Sequence, residues 1–272
     1  MSDGVAPGAG ELPPVAGPRF APVGNPLVEV LLRLGDDRLV LGHRLSEWCG
    51  HGPILEEDIA LANISLDLIG QASMLLTLAG DTEERGRTAD ALAYFREGVE
   101  FRNCLMVELP KGDFAFTIVR QLLFDAHSVH IWDALTRSGH ETLAGIAGKA
   151  LKEDKYHLRH SSEWVIKLGD GTEESHARAQ RALNELWRFT GELLDHDDVD
   201  EAVVGQGIPL DHDAIASRWR SVVADVVQRA TLTLPPDEAM QRGGRRGRHT
   251  EHLGHMLSEM QIVARSHPGA EW

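Results

Sequence analysis

Apolar residues recur every third or fourth position over most of the chain, which is the spacing of one face of a helix. No segment alternates apolar and polar residues between hairpin turns, so the pattern predicts no sheet. The predicted helical segments are 26–49 with a break near 35–37, 54–79, 89–109, 114–138, 143–168, 173–195, 211–234 and 250–265. The sequence therefore predicts an all-α fold.

Capping and turn residues set the predicted boundaries. Asp36 or Asp37 can cap a second helix after Gly35, Asp113 can cap the helix after the Pro110 break, and Thr250 can cap the last helix. Residues 1–25 are rich in Gly, Ala and Pro without a period, which predicts a disordered leader. We expect one helical domain over 26–272.

Charge and cysteine usage exclude several classes of protein. The net charge of -15 argues against nucleic acid or an anionic membrane as the main partner. No apolar run approaches the roughly 20 residues that cross a bilayer, and the N-terminus lacks signal-peptide features, so a cytoplasmic protein is expected. Cys49 and Cys104 lack metal-knuckle or redox-pair spacing and are predicted to be reduced and mostly buried.

Asp154 and His157 lie on the apolar stripe of the segment 143–168, so both should point inward. A carboxylate and an imidazole three residues apart form half of a carboxylate-bridged di-iron site in a four-helix bundle. Earlier helices offer Glu47, Asp67 and Asp125 as further inward acids. The formal metal-ligand set comprises Glu47, Asp67, Asp125, Asp154 and His157.

This ligand set is incomplete. Where the third helix should repeat the acid-x-x-His pattern it gives Asp67-x-x-Gly70, and glycine has no nitrogen to donate. Aspartates also hold their carboxylates closer to their own helix than glutamates do, which makes bridging two irons harder. The set is therefore interpreted as vestigial, with Asp154 and His157 a buried, hydrogen-bonded polar pair whose partners include Glu47 or Asp125. A loaded di-metal centre is the alternative, with His51, His127 or His130 as substitute ligands.

Four collinear motifs resemble a known family. They are GDDRLVLGHRLSEWCGHGPILEEDIALANISLDLIGQA, KEDKYHLRHSSEWVIKLGDGTEES, LWRFTGELLD and RGGRRGRHTEHLGHMLSEMQ. Together they are similar to the C subunits of bacterial ring 1,2-phenylacetyl-CoA epoxidase, the monooxygenase of aerobic phenylacetate degradation. The resemblance runs from about Pro26 to Trp272.

The resemblance implies a ferritin-like helical bundle with additional helices over 26–272, and a hetero-oligomer with a homologous A subunit. In that family the A subunit holds the di-iron centre that inserts one oxygen atom of O2 into the ring of phenylacetyl-CoA, with electrons from NADPH through a separate reductase. The C subunit is regarded as non-catalytic and without its own cofactor. The alternative for this chain is a self-sufficient di-iron oxidase built on the five residues above.

Two apolar stripes are candidates for a partner-binding face. One is Leu61, Leu68 and Leu75 in the segment 54–79, and the other lies in the segment from 173, with Leu183, Leu186, Trp187 and Leu194. The alternative is that both stripes pack within the chain, because core and interface stripes look alike in sequence.

The segment 242–248 contains the densest basic cluster of this acidic chain, four arginines among three glycines: Arg242, Arg245, Arg246 and Arg248. Arginine binds phosphate through two parallel hydrogen bonds, so Arg245 and Arg246 are predicted contacts for the phosphates of coenzyme A. No Walker or dinucleotide spacing accompanies them. The alternative is a solvated or partner-contacting loop.

Overall fold

The structure, a computed structural model, describes residues 24–270, and those residues contain helices and no strand. Their bounds are α1 Pro26–Ser46, α2 Leu55–Glu83, α3 Ala89–Tyr94, α4 Leu105–Glu108, α5 Phe114–Leu135, α6 Glu141–Gly169, α7 Glu173–Trp187, α8 Gly191–Leu194, α9 Asp198–Gly205, α10 His212–Arg229 and α11 Glu251–Ser266. Helix α1 packs mainly on α2, α5 packs on α6, and α2 also packs on α6. These four long helices form the bundle, and the predicted all-α, ferritin-like fold is confirmed.

Helix α1 is continuous, so the predicted break at 35–37 is wrong. Asn25 caps it by accepting from the backbone N–H of Leu27 at 3.0 Å. Gly35 lies inside the helix, where an added Cβ would come within 2.9 Å of Leu76 on α2. The glycine therefore allows the two helices to approach closely, which is a packing role. The predicted leader, up to residue 23, lies outside the described residues.

The segment 89–109 is not one helix as predicted. It comprises α3, a 3₁₀ turn over Gly98–Glu100 and α4. Carboxylates of α1 explain the interruption: Asp36 accepts from the backbone N–H of Arg102 at 2.8 Å, and Asp37 accepts from that of Cys104 at 2.7 Å. These backbone N–H groups donate to side chains of a neighbouring helix, so they do not form the hydrogen bonds of a local helix.

The later boundaries also differ in part from the predictions. Asp113 caps α5 as expected, by accepting from the N–H of Phe116 at 2.9 Å. The segment 173–195 splits into α7 and α8, and α9 was not predicted. Thr250 occupies the N-cap position of α11 without a side-chain cap bond, and its N–H donates to Glu108 at 2.6 Å.

Helix α2 is longer and more apolar than predicted from the sequence. An 18-residue window within it has a mean hydropathy of 1.5, long and apolar enough by composition to cross a membrane. A helix packed in a bundle meets the same criterion, and α2 packs on α1 and α6. The expectation that no apolar run approaches membrane length is therefore wrong. Both cysteines are free, and Cys49 is exposed where burial was predicted.

The predicted partner-binding stripes lie inside the chain. The side chains of Leu61, Leu68 and Leu75 are fully buried, as are those of Leu183 and Leu186. The alternative interpretation, that these stripes pack within the chain, is therefore the correct one. The exposed apolar residues of α2 lie on a different stripe, Leu55, Ile59 and Leu66, and Leu55 and Leu66 are 72% and 66% exposed.

Candidate functional site: a buried polar cluster in the bundle

The bundle brings four of the five predicted residues together. Asp67 comes from α2, Asp125 from α5, and Asp154 and His157 from α6. Glu47 does not join them: it follows the last residue of α1, its side chain is 36% exposed, and it pairs with Arg44 at 2.6 Å. Beyond the end of the helix, the α1 periodicity no longer fixes which way a side chain points.

His157 connects two acids. Its Nε2 lies 3.0 Å from Oδ2 of Asp67, and its Nδ1 lies 3.4 Å from Oδ1 of Asp154. Burial by itself would lower the pKa of His157, but the close carboxylates of Asp154 and Asp67, together with the charge of Asp125, outweigh it and raise this pKa to about 10. His157 is therefore an imidazolium at neutral pH.

Asp154 is almost fully buried and has donors on both carboxylate oxygens. Gln71 donates to Oδ1 at 2.8 Å, and the indole N–H of Trp132 donates to Oδ2 at 2.9 Å. Burial would raise the pKa of Asp154, but the contact with His157 and the charge of Arg38 hold it below its ordinary value. The carboxylate is thus ionised and satisfied by this chain's own groups.

Asp125 is the second buried acid of the cluster. It accepts from the side-chain amide of Gln121 at 2.7 Å and from the hydroxyl of Ser161 at 2.8 Å. Burial, reinforced by the nearby charge of Asp154, raises the pKa of Asp125 to about 7, and the imidazolium of His157 limits the rise. Its oxygens also accept hydrogen bonds within the chain.

Arg38 of α1 is the member that the sequence analysis missed. Its Nε donates to Gln71 at 3.0 Å, its other nitrogens donate to Ser128 and to the carbonyl of Leu34, and the guanidinium lies 4.2 Å from the centroid of the Trp132 ring. Burial lowers its pKa from the ordinary arginine value. The sequence could have indicated that Arg38 points inward, because it lies on the apolar stripe of α1 between Leu34 and Leu41.

The basic loop, residues 242–248, binds the rest of the chain through two arginines, Arg242, which pairs with Asp195, and Arg245. Arg245 forms two hydrogen bonds to the carboxylate of Asp37, at 2.9 and 2.8 Å, and also donates to the carbonyls of Arg33 and Arg102. Arg246 is exposed and has no side-chain partner within residues 24–270. A coenzyme A contact at either arginine stays a prediction, and Arg245 already has its terminal nitrogens engaged.

Comparison with known proteins identifies the family. A family model described as phenylacetic acid catabolic protein matches residues 22–272. The chain belongs to the phenylacetic acid catabolic protein family. The C subunit of 1,2-phenylacetyl-CoA epoxidase from Escherichia coli (strain K12) is 47% identical over 248 residues, which are 91% of this chain and 100% of that relative. The resemblance inferred from the four motifs is confirmed.

For this member of the phenylacetic acid catabolic protein family, the cluster does not fit a di-iron centre. Within residues 24–270 there is no group of three or more His, Cys, Asp or Glu side chains that could hold a metal. Both oxygens of Asp154 accept hydrogen bonds from uncharged donors, the amide of Gln71 and the indole of Trp132. The positively charged guanidinium of Arg38 bonds to Gln71. Gly70 has no side chain that could bind a metal. Asp154 and Asp125 accept hydrogen bonds from amide, indole and hydroxyl groups of the chain, and Asp67 bonds to Nε2 of His157, whereas Nδ1 of His157 has no hydrogen-bond partner among the described residues.

Proposed function

We propose that the chain is a cytoplasmic, non-catalytic structural subunit of a multicomponent phenylacetyl-CoA epoxidase, and that it supports a homologous A subunit. The relative from Escherichia coli is named as a subunit of such an enzyme, which supports an assembly of several subunits. In this proposal the di-iron centre belongs to the A subunit, and this chain holds no cofactor.

The observation that carries the proposal is that the acids of the cluster accept hydrogen bonds from side chains of this chain. Asp154, Asp125 and His157 occupy the part of the bundle where metal ligands would be expected, and each bonds to side chains of the same chain. Buried charges that are paired in this way stabilise one arrangement of helices, whereas an oxygenase needs free donor atoms and an open coordination position.

The outer face of α2 is the proposed contact for the A subunit. Leu55, Ile59 and Leu66 follow one another at helical spacing and are more than half exposed. Large apolar side chains on one exposed face favour association with another protein. Docking there would cover a bundle helix that also carries two members of the cluster, Asp67, whose side chain is 40% exposed, and the fully buried Gln71.

The test is iron content, measured by elemental analysis of this chain purified alone and after co-expression with the A subunit. We expect no iron in the chain alone, and iron in the complex that stays with the A subunit after the two are separated. Two irons in the chain alone would overturn the proposal in favour of the self-sufficient di-iron oxidase.

A variant separates a structural role from a catalytic one. Replacing His157 by Gln removes the imidazole and keeps a hydrogen-bond donor near Asp67. We expect the assembled complex that contains His157→Gln to retain its epoxidase turnover per iron, even if the complex is less stable. A complex of normal composition that has lost turnover would contradict the non-catalytic role.

A further inference from the structure

A second feature lies apart from the bundle cluster: a cavity of about 370 Å³ beneath the basic loop. It is bounded by α1, α5, the segment that links α8 to α9, the start of α10 and the loop itself. Five aliphatic side chains line its apolar walls: Val30, Leu34, Ile131, Leu193 and Leu210. Its volume is near the lower end of the roughly 300–1,000 Å³ of small-molecule pockets, which favours a ligand of one ring over a whole coenzyme A thioester.

Most charged groups around the cavity are already paired. Arg33 bonds to Asp197 and Asp200 at 2.9 and 3.1 Å, and Arg245 bonds to Asp37. The carboxylate of Glu192 accepts from backbone N–H groups, including that of Leu105 at 2.8 Å and of Gly243 at 2.6 Å, and Arg242 pairs with Asp195.

Two positive charges at the cavity remain without a partner. Arg246 and Arg248 line it, are exposed, and make no side-chain hydrogen bond or ion pair within the described chain. Two unpaired arginines that line a cavity whose other charged groups are already paired or hydrogen-bonded favour an anionic ligand.

A buried histidine supplies a further polar group. His127 on α5 lines the cavity, is only 7% exposed, and makes no hydrogen bond within residues 24–270. Burial and the charge of Arg245 lower the pKa of His127 well below its ordinary value, so the ring is neutral and carries one donor and one acceptor nitrogen. The ring nitrogens of His127 are accessible from the cavity, so they are available to hydrogen-bond to a ligand.

We propose that this cavity binds a small organic anion with an apolar body. Arg246 and Arg248 bind its carboxylate or phosphate head group, the aliphatic walls contact its body, and His127 hydrogen-bonds to it. The inference is independent of the role proposed above, because it needs neither a partner subunit nor iron.

Isothermal titration calorimetry of the full chain, with small molecules that differ in charge or in apolar body, tests the proposal. The probes are phenylacetate, phenyl phosphate, the uncharged phenylacetamide, acetate and coenzyme A. We expect phenylacetate or phenyl phosphate to bind, and the stronger of the two identifies the head group. Phenylacetamide and acetate should each bind at least about tenfold more weakly, since one lacks the charge and the other the apolar body. Absence of binding by both aryl anions, equal binding of phenylacetamide, or binding of coenzyme A alone would overturn the proposal.

Substitutions locate the binding in the cavity. The double variant Arg246→Gln and Arg248→Gln should weaken the aryl anion about tenfold at low salt. Arg85→Gln is the matched control, since Arg85 is exposed and does not line the cavity. Ile131→Trp fills the cavity and should abolish binding, with melting temperatures checked for all variants. Unchanged affinity in the double arginine variant would contradict the proposal even if Ile131→Trp fails to fold.

Discussion

The buried guanidinium of Arg38 and the buried carboxylate of Asp154 are joined through the side-chain amide of Gln71, which accepts from Arg38 at 3.0 Å and donates to Asp154 at 2.8 Å. One charge comes from α1 and the other from α6, so the amide links helices on two sides of the bundle. A fixed cation of the chain thereby supplies part of the positive charge that a metal would bring to these acids. This relationship predicts how the cluster responds to substitution.

Removing the cation should destabilise the bundle. Arg38→Met keeps most of the side-chain volume but leaves Asp154 and Gln71 without their charged partner. We expect the free energy of unfolding in urea to fall by about 3–5 kcal/mol, the usual cost of breaking a buried charge network. Arg137→Met, which removes an exposed arginine paired with Asp133, is the control and should change stability by less than about 0.5 kcal/mol. A loss below about 1 kcal/mol for Arg38→Met would show that the network does not hold the helices.

The raised pKa of His157 predicts a dependence of stability on alkaline pH. Because the folded-state pKa of about 10 lies above the ordinary value of 6.5, the stability that protonation contributes is complete below about pH 6.5. It is lost as pH rises through about 10. Urea unfolding between pH 7 and pH 10.5 should therefore show decreasing stability, and His157→Gln should have a smaller slope over that range. Equal slopes in the two proteins would contradict the assigned charge state of His157.

Neighbouring arginines of the basic loop should differ in their effect on stability. Arg245→Ala leaves the buried carboxylate of Asp37 without its cation and should cost about 3 kcal/mol or more. Arg246→Ala removes an exposed side chain and should stay within about 0.5 kcal/mol. Limited proteolysis across 241–248 should also be faster in Arg245→Ala alone. Equal free energies of unfolding for the two variants would show that the Arg245–Asp37 pair does not stabilise the loop.

The exposed stripe of α2 should affect assembly without affecting the fold. Leu66→Asn replaces a side chain that is 66% exposed, so the melting temperature of the isolated chain should hardly change. Affinity for the A subunit, measured by titration or analytical ultracentrifugation, should fall about tenfold, because Leu66 would be buried in the proposed interface and asparagine would not gain that stabilisation. Val204→Asn, at an exposed apolar residue of α9, is the control. Unchanged assembly of Leu66→Asn would exclude this part of α2 as the contact.

Local spacing was sufficient to predict much of the fold. The period of 3.6 residues identified the long helices. It also predicted that Asp154 and His157 point inward, because side chains three and four positions apart share one helix face. The predicted cap at Asp113 also agrees with the structure, since capping depends on the next two or three residues. The break predicted at Gly35 failed because a close neighbouring helix, not a turn, requires that glycine.

The sequence by itself determined the helical class, the family, the inward acid and histidine of α6, and the missing ligand at Gly70, all of which depend on residue type and local spacing. Only the tertiary structure decided that Arg38 and Gln71 join the cluster and that Glu47 pairs with Arg44 instead. It also decided which leucines of α2 are exposed and so are candidates for contact with a partner subunit. The side chains that bond to Arg38, those of Gln71 and Ser128, lie 33 and 90 positions away along the chain. Helical period constrains the direction of a side chain, but the group it meets depends on how separate helices pack.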